Sequence, residues 1–429
     1  MFWEAIQQWL VGTRLVRRLT DTLFRGRARR HVAALDHLDA VRSQLRTLRG
    51  LVHLGHATRF GRDHDFRRIR TAEDFRRLVP LRTPADFWRD YWQPTFPDLG
   101  GATWPGPIAS LIATPLAETP YVPAPPALWA GHRAAALTAL SFVASTRPEA
   151  SLFSGRMLLV GDGPPTTPLR DGIQSGSFES LGLRGLPSRL RPYAHVPTPC
   201  GQPNCPPESQ LRSLAEKSLR LPVTCVAGRA EVLARFLALC RHESGWPRGA
   251  DVWPGLTAVV YGNAPGEGPR RGLAEQLGVP ERRQPPLLLE ACVRAEGAIA
   301  VEDPRHGCLR LLVDHGVYFE FVPAEEVGRP RPARHALGDL VPGLPYAVAL
   351  TSAAGVWACL AGVRVCFEQR DPPLFRVVEG GTGVAPVFPH DRRDACPTVL
   401  GPHQRNGGKP AGRRETSGRS PWSARADQG

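Results

Sequence analysis

An α/β fold of layered sheets and helices is predicted for this chain of 429 residues by three observations. Strand and helix signals alternate through the middle of the chain, the pattern of a layered α/β core. Two groups of strand-like runs follow, over 290–326 and 345–378. Hydrophobic residues make up 42% and charged residues 22% of the chain, values of a globular protein with enough apolar material for a large core.

Each element has a local reason. Residues 1–30 read as a basic amphipathic helix, with Phe2, Trp3, Ile6, Trp9 and Leu10 apolar and Arg14, Arg17 and Arg18 charged. A second helix is expected over 32–57, where Leu35, Leu38, Val41, Leu45, Leu48 and Val52 recur at helical spacing. Thr71 and Asp74 form a capping box opening a short helix that ends before Pro80. Residues 125–146 predict a helix, 155–161 a turn-bounded strand, 229–241 a helix and 257–261 a strand. Residues 308–313 and 317–322 read as a hairpin turned at Asp314-His315-Gly316, its second strand holding Tyr318, Phe319 and Phe321 around Glu320. Three more runs, 346–351, 355–359 and 363–367, complete the strand-rich part.

Charge and cysteine content exclude several functions. The net charge is +14, but residues 1–90 hold 19 arginines against 10 acids, and most of the remaining surplus lies in 388–429. The body between is nearly neutral, so it lacks the basic surface that a nucleic-acid groove requires. Lys217 and Lys409 are the only lysines. The nine cysteines include no CxxC pair, which argues against structural zinc. No apolar run reaches the roughly 18 residues that span a bilayer. An early acid, with no small-residue cleavage site, predicts no secretory signal and a cytoplasmic protein.

Several motifs together resemble one family. A helix, then Thr58-x-Phe60-Gly61-x-x-His64-x-Phe66, then Asp74-Phe75 and Val79-Pro80, resemble the opening of the Gretchen-Hagen family of acyl acid–amido synthetases. The likeness runs on through Trp253-Pro254-Gly255-Leu256 and spans about residues 35–380. It implies the large N-terminal domain of an adenylate-forming enzyme, with ATP and magnesium as cofactors. A small carboxylic acid and an amine or amino acid would be its substrates. The division expected is 1–30 as the basic helix, 31–380 as the large domain, and 381–429 as a disordered Gly/Pro/Arg-rich tail in place of the family's small C-terminal domain.

The residues at the family's motif positions depart from its pattern. The phosphate loop, Ser-Gly-Thr-Thr followed by Lys, Tyr, Ile and Pro in the family, falls on Ile112 to Pro123. Tyr121-Val122-Pro123 fits, but the glycines are missing, Pro115 has no N–H to donate, and Pro120 stands at the lysine position. The second motif falls on Cys292-Val293-Arg294-Ala295-Glu296-Gly297, where only Glu296 and Gly297 match. Glu296 is the candidate magnesium ligand; otherwise it is a salt-bridged hairpin acid. The third motif begins well at Tyr346 to Trp357 and places Thr351 at the nucleotide. Its ribose-binding Gly-Asp, however, reads Gly362-Val363, and an arginine expected near Trp357 is Ala358. A candidate acyl pocket is lined by Tyr318, Phe319 and Phe321. Losing the phosphate loop, the ribose acid and the closing domain removes the positioning and electrostatic terms such catalysis depends on. The expectation is therefore a weak or inactive acyl acid–amido synthetase. The alternatives are a non-catalytic module that binds an acyl ligand or a protein, and a membrane-surface protein using residues 1–30.

Overall fold

The computed structural model describes residues 14–184, 193–195, 206–262, 267–278 and 284–378. Residues 1–13 of the expected basic helix, the expected tail over 381–429, Lys409, Cys200, Cys205 and Cys396 lie outside the described residues.

The chain opens with α1 (Arg14–Asp36) and α2 (Ala40–Gly55). The expected helix over 32–57 is thus two helices. They part at Asp39, whose carboxylate caps α2 by accepting the Arg42 N–H at 2.9 Å. Next comes α3 (Ala72–Leu78), opened by the expected Thr71/Asp74 capping box. Strands β1 (Ser110–Ala113) and β2 (Tyr121–Pro123) precede the long α4 (Pro126–Thr146). Then follow β3 (Arg156–Val160), β4 (Thr167–Arg170), β5 (Ile173–Gly176), α5 (Phe178–Arg184) and β6 (Ala194–His195). The alternation continues through α6 (Pro207–Ser218), β7 (Val223–Arg229), α7 (Ala230–Ser244), β8 (Ala258–Gly262) and α8 (Glu267–Leu277). Strand-rich structure closes the described chain: β9 (Leu287–Arg294), β10 (Gly297–Asp303), β11 (Cys308–Leu311), β12 (Val317–Pro323), β13 (Pro345–Ser352), β14 (Val356–Arg370) and β15 (Pro373–Val377).

Two sheets result. A small one has the order β2-β1-β5-β4, and an eleven-stranded one runs β12-β13-β14-β15-β11-β10-β9-β8-β7-β3-β6. Strands β6, β3, β7, β8 and β9 are mutually parallel; from β9 to β12 every pairing is antiparallel. The parallel half is covered on both faces. Cys225 and Ala258 join the cluster of Ala28, Val32, Ala139 and Phe142 from α1 and α4. Val226 and Val259 join that of Leu214, Phe236, Leu237 and Cys240 from α6 and α7. Burial on both faces is why these strands read as unbroken apolar runs.

The expected hairpin of 308–313 with 317–322 does not form. Strand β11 pairs with β10 and β15, while β12 lies at the far edge of the sheet, where its strand partner is β13. The chain crosses from one part of the sheet to the other between them, and a side chain distant in sequence holds the crossing. Buried Gln44 of α2 donates to the Val313 and Val317 carbonyls at 2.8 and 2.9 Å and accepts the Phe319 N–H at 2.7 Å. It satisfies backbone groups that a hairpin ladder would otherwise pair. The runs expected at 355–359 and 363–367 are one strand, β14, continued through irregular pairing with β13 near Ala347–Ala349 and Leu350–Ser352.

Gln44→Leu leaves three buried backbone groups unpaired, and we expect a loss of about 3 kcal/mol or more at roughly 1–3 kcal/mol per group. Urea unfolding of the variant against wild type measures it.

Candidate active site

The stretch at the phosphate-loop position is the tight turn between β1 and β2. The Thr114 N–H donates to the Pro120 carbonyl at 3.0 Å, and the Thr119 N–H to the Leu116 carbonyl at 3.1 Å. The Leu116 N–H donates to Thr114 Oγ1 at 3.2 Å, and that hydroxyl in turn donates to the Thr119 carbonyl. With Pro115 and Pro120 lacking N–H groups, the donors left over in 114–120 are those of Ala117 and Glu118. A phosphate cradle needs several convergent N–H groups. This turn uses most of its own to close on itself and points the exposed Glu118 carboxylate to solvent.

The second and third motifs do come together. Glu296 lies in the turn between β9 and β10. Its carbonyl accepts the Ser352 hydroxyl at 2.5 Å, and the Arg294 guanidinium donates to the Gly362 carbonyl at 3.4 Å. A β-carbon on Gly297 would sit 3.0 Å from Val317 Cγ2 and 3.9 Å from Ser352 Cβ, so a larger residue here would press on the Val317 side chain. The Glu296 carboxyl is partly buried, and burial pushes its pKa up, only partly opposed by Arg294. Among the described residues it has no ion-pair partner, and no cluster of His, Cys, Asp and Glu is arranged to hold a metal.

Thr351 is fully buried, with its Oγ1 accepting the Ala358 N–H at 2.8 Å. Ala358 has a left-handed φ of +48°, a conformation that costs a non-glycine residue about 1 kcal/mol or more. The threonine hydroxyl helps hold it there. Val363, at the ribose-acid position, is buried as well.

The three rings proposed to line an acyl pocket are closed off, at 2%, 1% and 0% exposure for Tyr318, Phe319 and Phe321. Tyr318 packs edge-on to Phe75 at 5.9 Å, and Phe321 packs on Phe367 at 5.1 Å and Tyr346 at 6.5 Å. A groove of about 760 Å³ lies elsewhere, along α2, over Leu48, Val52, Phe66 and Ile69 and rimmed by Arg49 and Arg67.

Two features escape a reading of the sequence. Glu320, beside those rings, is buried and held by Arg334 at 2.5 Å, with Arg76 3.6 Å away. The alternation of β12 places Tyr318 and Glu320 on one face, but nothing local identifies arginines from two other segments. Burial, with the Glu320 charge next in effect, raises the Tyr318 pKa. His132 of α4 lies behind the Glu296 turn, beside the Ala295 backbone. Its ring meets Phe178 edge-on at 4.8 Å and Trp129 at 5.8 Å. Burial lowers its pKa to about 4. A lone histidine on an apolar helix gives no local sign of this.

Comparison with known proteins bears on the fold. Residues 34–90 match the GH3 (Gretchen-Hagen) family N-terminal domain. The fold is similar to that of a GH3.15 acyl acid amido synthetase, at 14% identity and a TM-score of 0.60, over 81% of this chain and 69% of that one. It is similar to AtGH3.15 acyl acid amido synthetase in complex with 2,4-DB, at 12% identity and 0.59, over 81% and 69%. It is also similar to an open conformation of 2-hydroxyisobutyryl-CoA ligase in complex with 2-HIB-AMP and CoA, at 14% and 0.54, over 79% and 68%. No curated protein matches the chain. The fold therefore resembles the large domain of the adenylate-forming enzymes. Within it, residues 34–90 are the stretch that is similar to the GH3 family N-terminal domain.

His132 makes stability depend on pH. Unfolded, its imidazole titrates near 6.5, and folded near 4, so the unfolded state binds the extra proton between those values. Its contribution is full above pH 6.5 and is lost as pH falls toward 4, by about 3 kcal/mol. Urea unfolding at a series of pH values should show His132→Leu losing less stability than wild type across that window.

Proposed function

We propose that this chain is an adenylate-forming large domain of acyl acid–amido synthetase descent in which ATP-dependent ligation is weak or absent. One observation carries the reading: the turn over 114–120 spends the N–H groups of Thr114, Leu116 and Thr119 on closing itself and exposes the Glu118 carboxylate. Three others support it. Val363 offers no acceptor to a ribose, the Thr351 hydroxyl is taken by Ala358, and burial favours the uncharged form of Glu296. Magnesium binds charged oxygen donors, and burial works against the charge that Glu296 would need for that role. The residues present do not fit Mg-ATP, and no catalytic step is assigned through it.

Glu296, Gly297 and Thr351 are the positions from which residual nucleotide contact would come. The division into 1–30, 31–380 and 381–429 and a cytoplasmic setting belong to the same proposal. Among the described residues, no helix is long and apolar enough to cross a membrane.

Thermal unfolding of the whole chain with saturating Mg-ATP is expected to show no shift, and pyrophosphate release with ATP and a carboxylic acid to stay at background. Ligand at a hundred times its dissociation constant would add about 2.7 kcal/mol, which is readily resolved. A clear shift with Mg-ATP would overturn the proposal. The acid bound in the AtGH3.15 complex, 2,4-DB, is a suitable probe, and a shift with it alone would favour the non-catalytic acyl-binding alternative.

A further inference from the structure

The helix α1 is anchored by one face only. Arg17 donates to the Ser154 carbonyl at 2.6 Å and Arg25 to the Pro148 carbonyl at 2.7 Å. Asp21 accepts the Phe153 N–H at 2.9 Å, and His31 meets the Thr138 hydroxyl at 2.9 Å. Ala28 and Val32 are buried on that same face against α4. The opposite face carries Leu15, Leu19 and Leu23, exposed at 82%, 59% and 66%. At roughly 100° per residue, the three leucines fill an arc of about 80° centred away from the protein.

The charges around this stripe have one sign. Exposed Arg18 and Arg29 flank it on one side and exposed Arg27 on the other, with Arg30 continuing it toward the C-terminus. Among the described residues none of these four has an acidic partner. The two acids of the helix are turned inward or used: Asp21 is buried, and Asp36 pairs with Arg305 and Arg310.

We propose that this outer face of α1 docks on an anionic lipid surface, the leucines entering the headgroup boundary and the arginines meeting the lipid charge. A second copy of the chain fits less well. Three leucines cover too little area for a stable dimer, and the flanking arginines would face one another.

The test is co-sedimentation of the full chain with vesicles of phosphatidylcholine alone and with a third phosphatidylserine, at low and high salt. We expect binding to the anionic vesicles only, weakened by salt. Leu15→Ser/Leu19→Ser/Leu23→Ser should reduce it by about ten-fold or more, and Arg18→Glu/Arg29→Glu similarly. Both sets of substitutions are on exposed positions, so an unchanged melting temperature confirms folding. Wild-type binding equal on neutral vesicles, or unchanged binding by the leucine variant, would overturn the proposal. A dimer that the leucine variant dissolves, without vesicle binding, would assign the face to a second copy and overturn it equally.

Discussion

The packing of Trp357 is the constraint on which the rest of the large domain depends. Its indole is fully buried, donates to the Thr103 carbonyl at 3.0 Å, and lies between Phe60, at 6.1 Å, and Phe66, at 4.7 Å. A β-carbon on Gly55 would come within 2.5 Å of that ring, so the end of α2 can approach β14 only as glycine. Next to it, left-handed Ala358 turns its carbonyl to the Arg82 N–H at 3.1 Å, and the Leu360 N–H donates to the Arg82 carbonyl at 2.8 Å. The helical segment over 34–90 and the antiparallel sheet thereby share hydrogen bonds and one aromatic core. The stretch around Thr351, Ala358 and Trp357 serves as a dock for the N-terminal helices.

Arginine-centred ion pairs position the surrounding elements. Arg305 and Arg310 bind both Asp36, at the end of α1, and Asp303 of β10. Arg270 of α8 holds Glu302, and Arg334 holds Glu320. Asp303, Glu302 and Glu320 are all buried. Such pairs add little net stability once desolvation is counted, yet breaking one leaves a buried charge. Their role here is to fix where distant segments meet. A planar guanidinium can bridge two carboxylates at once, which an ammonium does less well, and a chain with only two lysines builds its buried junctions this way.

Much of the local structure was legible. The Thr71/Asp74 box, the helix over 125–146 and the apolar strands of the parallel half follow from neighbours along the chain. The candidate site was legible by position and less so by role. The Glu296 carbonyl meets Ser352, next to Thr351, and Arg294 meets the Gly362 carbonyl, contacts that motif order alone does not specify. Tyr318, Phe319 and Phe321 are core rings instead of a visible pocket wall, because aromatic alternation looks the same in either setting.

By itself the sequence determined the α/β class and the Thr71/Asp74 helix cap, since each depends on residue types and their spacing along the chain. Tertiary structure decided strand partners and the use of polar side chains. Along the sequence the run after β11 looks like a hairpin because its turn is short, but pairing is set by the whole sheet and by Gln44, some 270 residues away in sequence. The depressed pKa of His132 likewise arises from burial, its ring packed on Phe178 and Trp129, with the Ala295 backbone opposing it. Desolvation is a property of what surrounds a group in space, and folding brings those groups together from separate parts of the chain.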